Sequence, residues 1–132
     1  MTDDYERLQR FFSNIGFSVV RSERFDSFGD YIIEACSPYF CVKGVSDRGI
    51  ESIEFRSLVE SNWFAANVVM SYVLQKDLLM DESTLDIQTR FLEKHLDDLA
   101  VMFNEDNYKK TRTILHEMEL ERGRILFPRW FP

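Results

Sequence analysis

Two histidines, two cysteines and a surplus of carboxylates are the side chains in this sequence with chemistry to offer. His95 and His116 are the only histidines, and they fall on different predicted helices. His95 sits beside Phe91 and Met102 on the flank of an apolar stripe, where a lone imidazole is more often a boundary residue than a base. Paired carboxylates that catalyse need burial to shift a pKa, and most of those here are read as facing water. Asp97 and Asp98 are neighbours that point about 100° apart on a helix, which makes a poor acid/base dyad. No His-Glu-x-x-His, phosphate-binding loop, Gly-rich dinucleotide loop or Gly-x-Ser-x-Gly elbow is present. Cys36 and Cys41 have four residues between them, matching neither a redox pair with two residues between nor a zinc knuckle with companion ligands. The reading is two reduced, partly buried thiols flanking the Ser37-Pro38 turn and able to lie across from one another. No catalytic site, metal or cofactor is expected.

The charge is more informative than any motif. The chain of 132 residues has a net charge of −7, and the charge is unevenly placed. Residues 1–76 carry a net −3, residues 77–121 a net −7 and residues 122–132 a net +3. Such a field repels phosphate backbones and attracts basic surfaces, so direct binding to nucleic acid is disfavoured. The length suits one domain over residues 1–132, and 45% hydrophobic with 14% aromatic residues is a globular composition. No apolar run is long enough to span a bilayer, and the start lacks the pattern of a secretory signal, so a cytoplasmic protein is expected.

The elements that position these groups follow from periodicity. Tyr5, Leu8, Phe12 and Ile15 mark an amphipathic first helix, capped by Thr2 or Asp3, with Asp3, Asp4 and Glu6 in its first turn and Gly16 ending it in a left-handed conformation. From Phe17 the period becomes two, and residues 16–25, 30–36, 39–45 and 50–58 read as four strands. Breakers at Ser27-Phe28-Gly29, Ser37-Pro38 and Ser46-Asp47-Arg48-Gly49 separate them, the last as a type I turn in a tight hairpin. Short turns favour an antiparallel meander, with Ile53 and Phe55 toward helices and Ser52, Glu54 and Arg56 on the other face.

Residues 62–74 have no polar face and read as a helix at the centre of the core, with Trp63, Phe64, Met70 and Tyr72 as its large side chains. A capping box at Ser83-Thr84-Leu85-Asp86 opens a helix whose stripe is Leu85, Leu92, Leu96, Leu99 and Phe103. A final helix starts near Asn107, with Tyr108, Thr111, Leu115, Met118, Arg122 and Ile125 on one side. The fold class is therefore α+β: an N-terminal helix, a four-stranded antiparallel meander, then three helices packed on one face. The end, Ile125 to Pro132, is unusually apolar for a terminus, and the reading folds it back onto the sheet, with an exposed docking strip as the alternative.

The hairpin from Tyr39 to Phe55 (YFCVKGVSDRGIESIEF), the Trp63 helix that follows it, and the late segments FLEKHL (91–96) and ILFP (125–128) together resemble small bacterial immunity proteins. Such proteins accompany polymorphic toxins, including those of contact-dependent growth inhibition systems. The resemblance implies a non-enzymatic inhibitor that binds one cognate toxin domain, often a nuclease. A nuclease needs basic groups around its cleft, so an acidic protein is drawn into the same field. Asp86, Glu93, Asp97, Glu105 and Asp106 are the candidate partner-binding residues. The alternative is a type III secretion chaperone, also small and acidic, which wraps an unfolded effector segment; four consecutive strands depart from the order usual there.

Overall fold

The computed structural model describes residues 4–25 and 29–129. Helix α1 (Asp4–Asn14) is followed by β1 (Ser18–Arg24), β2 (Tyr31–Cys36), β3 (Cys41–Asp47) and β4 (Ile50–Arg56), and a two-residue β5 (Phe64–Ala65) is added at the far edge. Each strand pairs antiparallel with the next, and the spatial order is the sequence order. Four helices complete the chain: α2 (Ala66–Leu74), α3 (Leu85–Lys94), α4 (Leu96–Met102) and α5 (Tyr108–Leu126). The α+β architecture read from periodicity is the one observed. Thr2 and Asp3, read as the cap of the first helix, Ser27-Phe28, read as a breaker, and Trp130 to Pro132 lie outside the described residues.

Burial follows the two-residue period. Tyr31, Ile33 and Ala35 on β2, Val42 on β3, and Ile53 and Phe55 on β4 are all buried, while the residues between them are half exposed. The covered face is tied to the helices by a chain of rings. Phe12 on α1 meets Phe17, Phe17 meets Phe40, and Phe40 meets both Phe55 and Phe103. Phe55 then meets Phe91 on α3 edge to face, and Phe103 stacks on Tyr108 at the start of α5. α1 lies so close to β3 that a Cβ added at Gly44 would come 2.3 Å from Leu8 Cδ2.

Several local details differ from the sequence reading, each for a physical reason. In the β3–β4 hairpin, Arg48 and Gly49 both have positive φ, at 55° and 80°. That pair makes a type I′ turn, whose twist matches the strands better than type I. Asp30 pays for the strained Arg48: its carboxylate accepts from the N–H groups of Arg48 at 2.9 Å and Gly49 at 3.2 Å. The helix expected over 62–74 starts only at Ala66, because Phe64 and Ala65 pair with Phe55 and Glu54 and extend the sheet. Trp63 consequently leaves the helix and lies on the open face, under Lys43 Nζ at 4.7 Å and the Arg56 guanidinium at 5.1 Å.

The capping residue of α3 is Thr84, whose Oγ1 accepts from Ile87 N at 3.3 Å, rather than Ser83. Ser83 instead hydrogen-bonds Asn67 and Gln88. The single helix expected through Phe103 is interrupted at His95, where φ is −113°, and Asp97 and Asp98 fall in the first turn of a new helix, where their charge suits its dipole. Cys36 and Cys41, read as free thiols, form a disulfide. The register places them directly opposite one another, with Cα atoms 4.1 Å apart. Finally, the apolar end does not return to the sheet within the described residues. Phe127 N–H bonds the Gly123 carbonyl and keeps the chain on the helical path, leaving Ile125, Leu126 and Phe127 exposed at 49%, 42% and 56%.

Candidate interaction surface

α3 and α4 run beside α1. Leu85, Asp86 and Thr89 at the start of α3 share a small recess with Asp4, Arg7, Leu8 and Phe11 of α1. Leu96, Asp97 and Ala100 of α4 share a larger one, about 240 Å³, with Ile15, Gly16 and Phe17 after α1 and with Ser37 to Phe40. One recess lies at the start of α3 and the other at the start of α4.

All five carboxylates singled out in the sequence are exposed: Asp86 and Glu93 on α3, Asp97 on α4, and Glu105 and Asp106 in the connection to α5. Among the described residues none of the five pairs with a cation, although Asp4, Glu23, Glu34, Glu54, Glu60 and Glu121 all do. Helix dipoles supply a structural reason for Asp86 and Asp97, which lie in first turns, and for Glu105 and Asp106, which precede α5. Glu93 has no such reason. It sits in the last turn of α3, where the dipole disfavours an anion.

Periodicity missed the apolar part of this surface. Tyr39, in the tight turn between β2 and β3, is 60% exposed and lines the same recess as Asp97. Ser37 holds that turn, its Oγ accepting from the N–H groups of Tyr39 and Phe40 and its own N–H donating to the Phe40 carbonyl at 2.9 Å. Ile87 on α3 and Val101 on α4 are exposed as well. The available sign was Ser37-Pro38-Tyr39 itself, an aromatic placed at a turn tip where no core requires one.

The histidines do not converge. His95 Nδ1 lies 3.0 Å from Asp98 and its ring rests on Phe91 at 4.9 Å. His116 lies 3.7 Å from Glu119 on α5, at the border of an open recess that contains Glu60 and Arg112, themselves ion-paired. No group of three or more His, Cys, Asp or Glu side chains among the described residues is arranged to hold a metal ion. No described helix is long and apolar enough to cross a membrane.

One titratable cluster was not legible in the sequence. Tyr31 Oη donates to Glu51 Oε2 at 2.5 Å in a recess of about 220 Å³ that Asp4, Tyr5 and Arg24 also line. Burial raises the Glu51 pKa, the Tyr31 hydroxyl opposes that, and the neighbouring Asp4 carboxylate adds to it. Burial and the Glu51 charge push the Tyr31 phenol above its ordinary value. The hydrogen bond links β2 to β4 beside the start of α1. No family model, curated protein or solved structure matches this chain.

Proposed function

We propose that this protein is a cytoplasmic immunity protein that binds and neutralises a cognate toxin domain, a nuclease with a basic cleft, through the α3–α4 face and without bond-making of its own. The observation that carries this reading is Glu93: an exposed carboxylate, unpaired among the described residues, placed where its own helix disfavours it. An anion kept against the local helix electrostatics suits a surface that has to meet positive charge. Asp86, Asp97, Glu105 and Asp106 supply the remainder of an acidic rim. Tyr39, standing beside Asp97, is the aromatic anchor that such a contact needs, because a few desolvated aromatic groups commonly dominate binding energy. Rim charges act mainly on encounter, raising association rates by about 10 to 10³-fold in a salt-dependent way.

The experiment is co-expression with the product of the adjacent upstream reading frame, followed by isolation of the complex. Growth rescue with a stable complex supports the reading, and survival without a complex sinks it. In the isolated pair, Glu93→Lys with Asp97→Lys slows association and flattens its salt dependence, while Tyr39→Ala speeds dissociation. If the charge reversal leaves both rate and salt slope at the parent values, the acidic face is not the binding surface.

A further inference from the structure

We propose that two copies of this chain associate through their β1 strands, joining the two sheets into one antiparallel ten-stranded sheet about a two-fold axis at Ser22. β1 is the first strand in the spatial order, so one side of it pairs with β2 and no described strand pairs with the other. Every residue from Ser18 to Arg24 is exposed. A strand of this kind presents unpaired N–H and C=O groups to any extended chain that fits.

Hydrogen-bond parity fixes which residues present them. Phe25 N–H donates to the Asp30 carbonyl at 2.8 Å, so Phe25 turns its polar backbone toward β2. Alternation along an antiparallel ladder makes Glu23 and Arg21 do the same and makes Ser22 turn its N–H and C=O outward. A two-fold axis at Ser22 therefore creates a hydrogen-bonded Ser22–Ser22 pair across the two copies.

Charge selects the same register. Arg21 and Glu23 lie on the open face of the sheet, beside Glu34. With the axis at Ser22, Arg21 of each copy stands directly opposite Glu23 of the other, in a non-hydrogen-bonded pair where side chains approach most closely. An axis at Arg21, Glu23 or Arg24 would set a charge against its own copy. An axis between two residues would place the open face of one sheet beside the helix face of the other. The mixed charges that would blunt this edge against an unrelated strand are self-complementary in one register. The unpaired Val20 breaks the regular ladder just before Arg21, which keeps the contact short and the dimer weak. α3 packs over β4, three strands along the sheet from this edge.

Sedimentation velocity of the full chain over a rising concentration series, from micromolar to high micromolar, tests this with two opposite charge reversals. The parent chain is expected to show a reversible monomer–dimer equilibrium. Arg21→Glu alone and Glu23→Arg alone each set like charges opposite one another twice, and each weakens dimerisation by roughly tenfold or more. An equimolar mixture of the two variants restores every opposite-charge pair and recovers the parent affinity. Should either variant misfold by circular dichroism, Ser22→Pro removes the outward N–H while sparing the bonds to β2, and it is expected to abolish the dimer. A parent chain monomeric at all concentrations, a dimer of undiminished strength in any of these variants, or a mixture that stays monomeric overturns the proposal.

Discussion

On the helix-covered face of the sheet, Ile33, Val42, Ile53 and Phe55 are wholly buried. One residue further along the same strands, Glu34, Lys43, Glu54 and Arg56 are half exposed and linked by charge, with Lys43 Nζ 3.1 Å from Glu54 Oε2 and Trp63 lying under Lys43 and Arg56. Identical backbone hydrogen bonding supports both faces. The difference teaches that shape specifies one and charge alternation the other, so the two should answer very differently to substitution. The covered face is held by dispersion and water exclusion, which fail when a side chain is removed. The open face is held by exposed pairs that solvent can replace.

The largest effect should come from Phe55 on β4, which joins the β2–β3 turn to α3 through Phe40 and Phe91. Phe55→Ala is expected to cost about 3–5 kcal/mol in a chemical denaturation series, enough to unfold a marginal domain. A cost below that of any open-face substitution would break the comparison outright.

Second in size is the one covalent feature of the open face. Reducing the Cys36–Cys41 bond releases a loop of only six residues, for which chain entropy sets the stabilisation at about 2 kcal/mol. The six paired positions between β2 and β3 do not depend on it, so the sheet is expected to persist in dithiol reductant with a lowered denaturation midpoint. That persistence would let the hairpin survive wherever thiols are kept reduced. Loss of the far-ultraviolet circular dichroism signal on reduction alone would show that the bond, rather than the ladder, specifies this hairpin.

The covered face was the legible part of the fold. Alternation in β2 to β4 gave strand identity and the covered face of β4, and Gly16, with φ of 96°, ends α1 as its position after Ile15 predicts. The less legible features depend on partners distant in sequence. Phe64 and Ala65 look helical until β4 offers them an edge. Gln88, buried on α3, reads as a polar helix residue, yet its Oε1 accepts from Ile53 N at 2.6 Å, supplying the ladder bond that the short β5 does not reach. Asp86, Glu93 and Asp97 could be named from helix periodicity, whereas Tyr39 was signalled only by the Ser37-Pro38 turn, because its exposure is decided by the turn that Ser37 closes.

A third, smaller effect belongs to the charged ladder of the open face. Lys43 and Glu54 are directly opposite in register, and such a cross-strand pair contributes roughly 0.2–1 kcal/mol. Lys43→Ala also removes one of the two cations over Trp63, so the indole fluorescence should shift even where stability scarcely moves. A double-mutant cycle with Glu54→Ala isolates the pair. A coupling as large as the Phe55 effect would mean that the two faces are not specified differently after all.

The smallest effect sits on the covered face, at Glu51 beside the buried Tyr31. The carboxyl pKa is raised in the folded state, chiefly by burial, so the folded protein holds this proton at a pH where the unfolded chain has lost it. Stability from this group is therefore present below the unfolded pKa and declines as pH rises through the folded one. Glu51→Gln keeps an oxygen to accept from the Tyr31 hydroxyl and removes the charge. The variant should be slightly more stable than the parent near neutral pH, within the roughly 0.5 kcal/mol usual for positions outside the core, and the two should converge toward acid. Asp30 acts in the opposite sense: the Arg48 N–H above all, with Gly49 and Ser46, holds its carboxyl below the usual range, so its contribution is lost as pH falls. Measuring the parent–variant difference across the acid range separates these two opposing slopes. A difference that grows toward acid would place the Glu51 shift in the wrong direction.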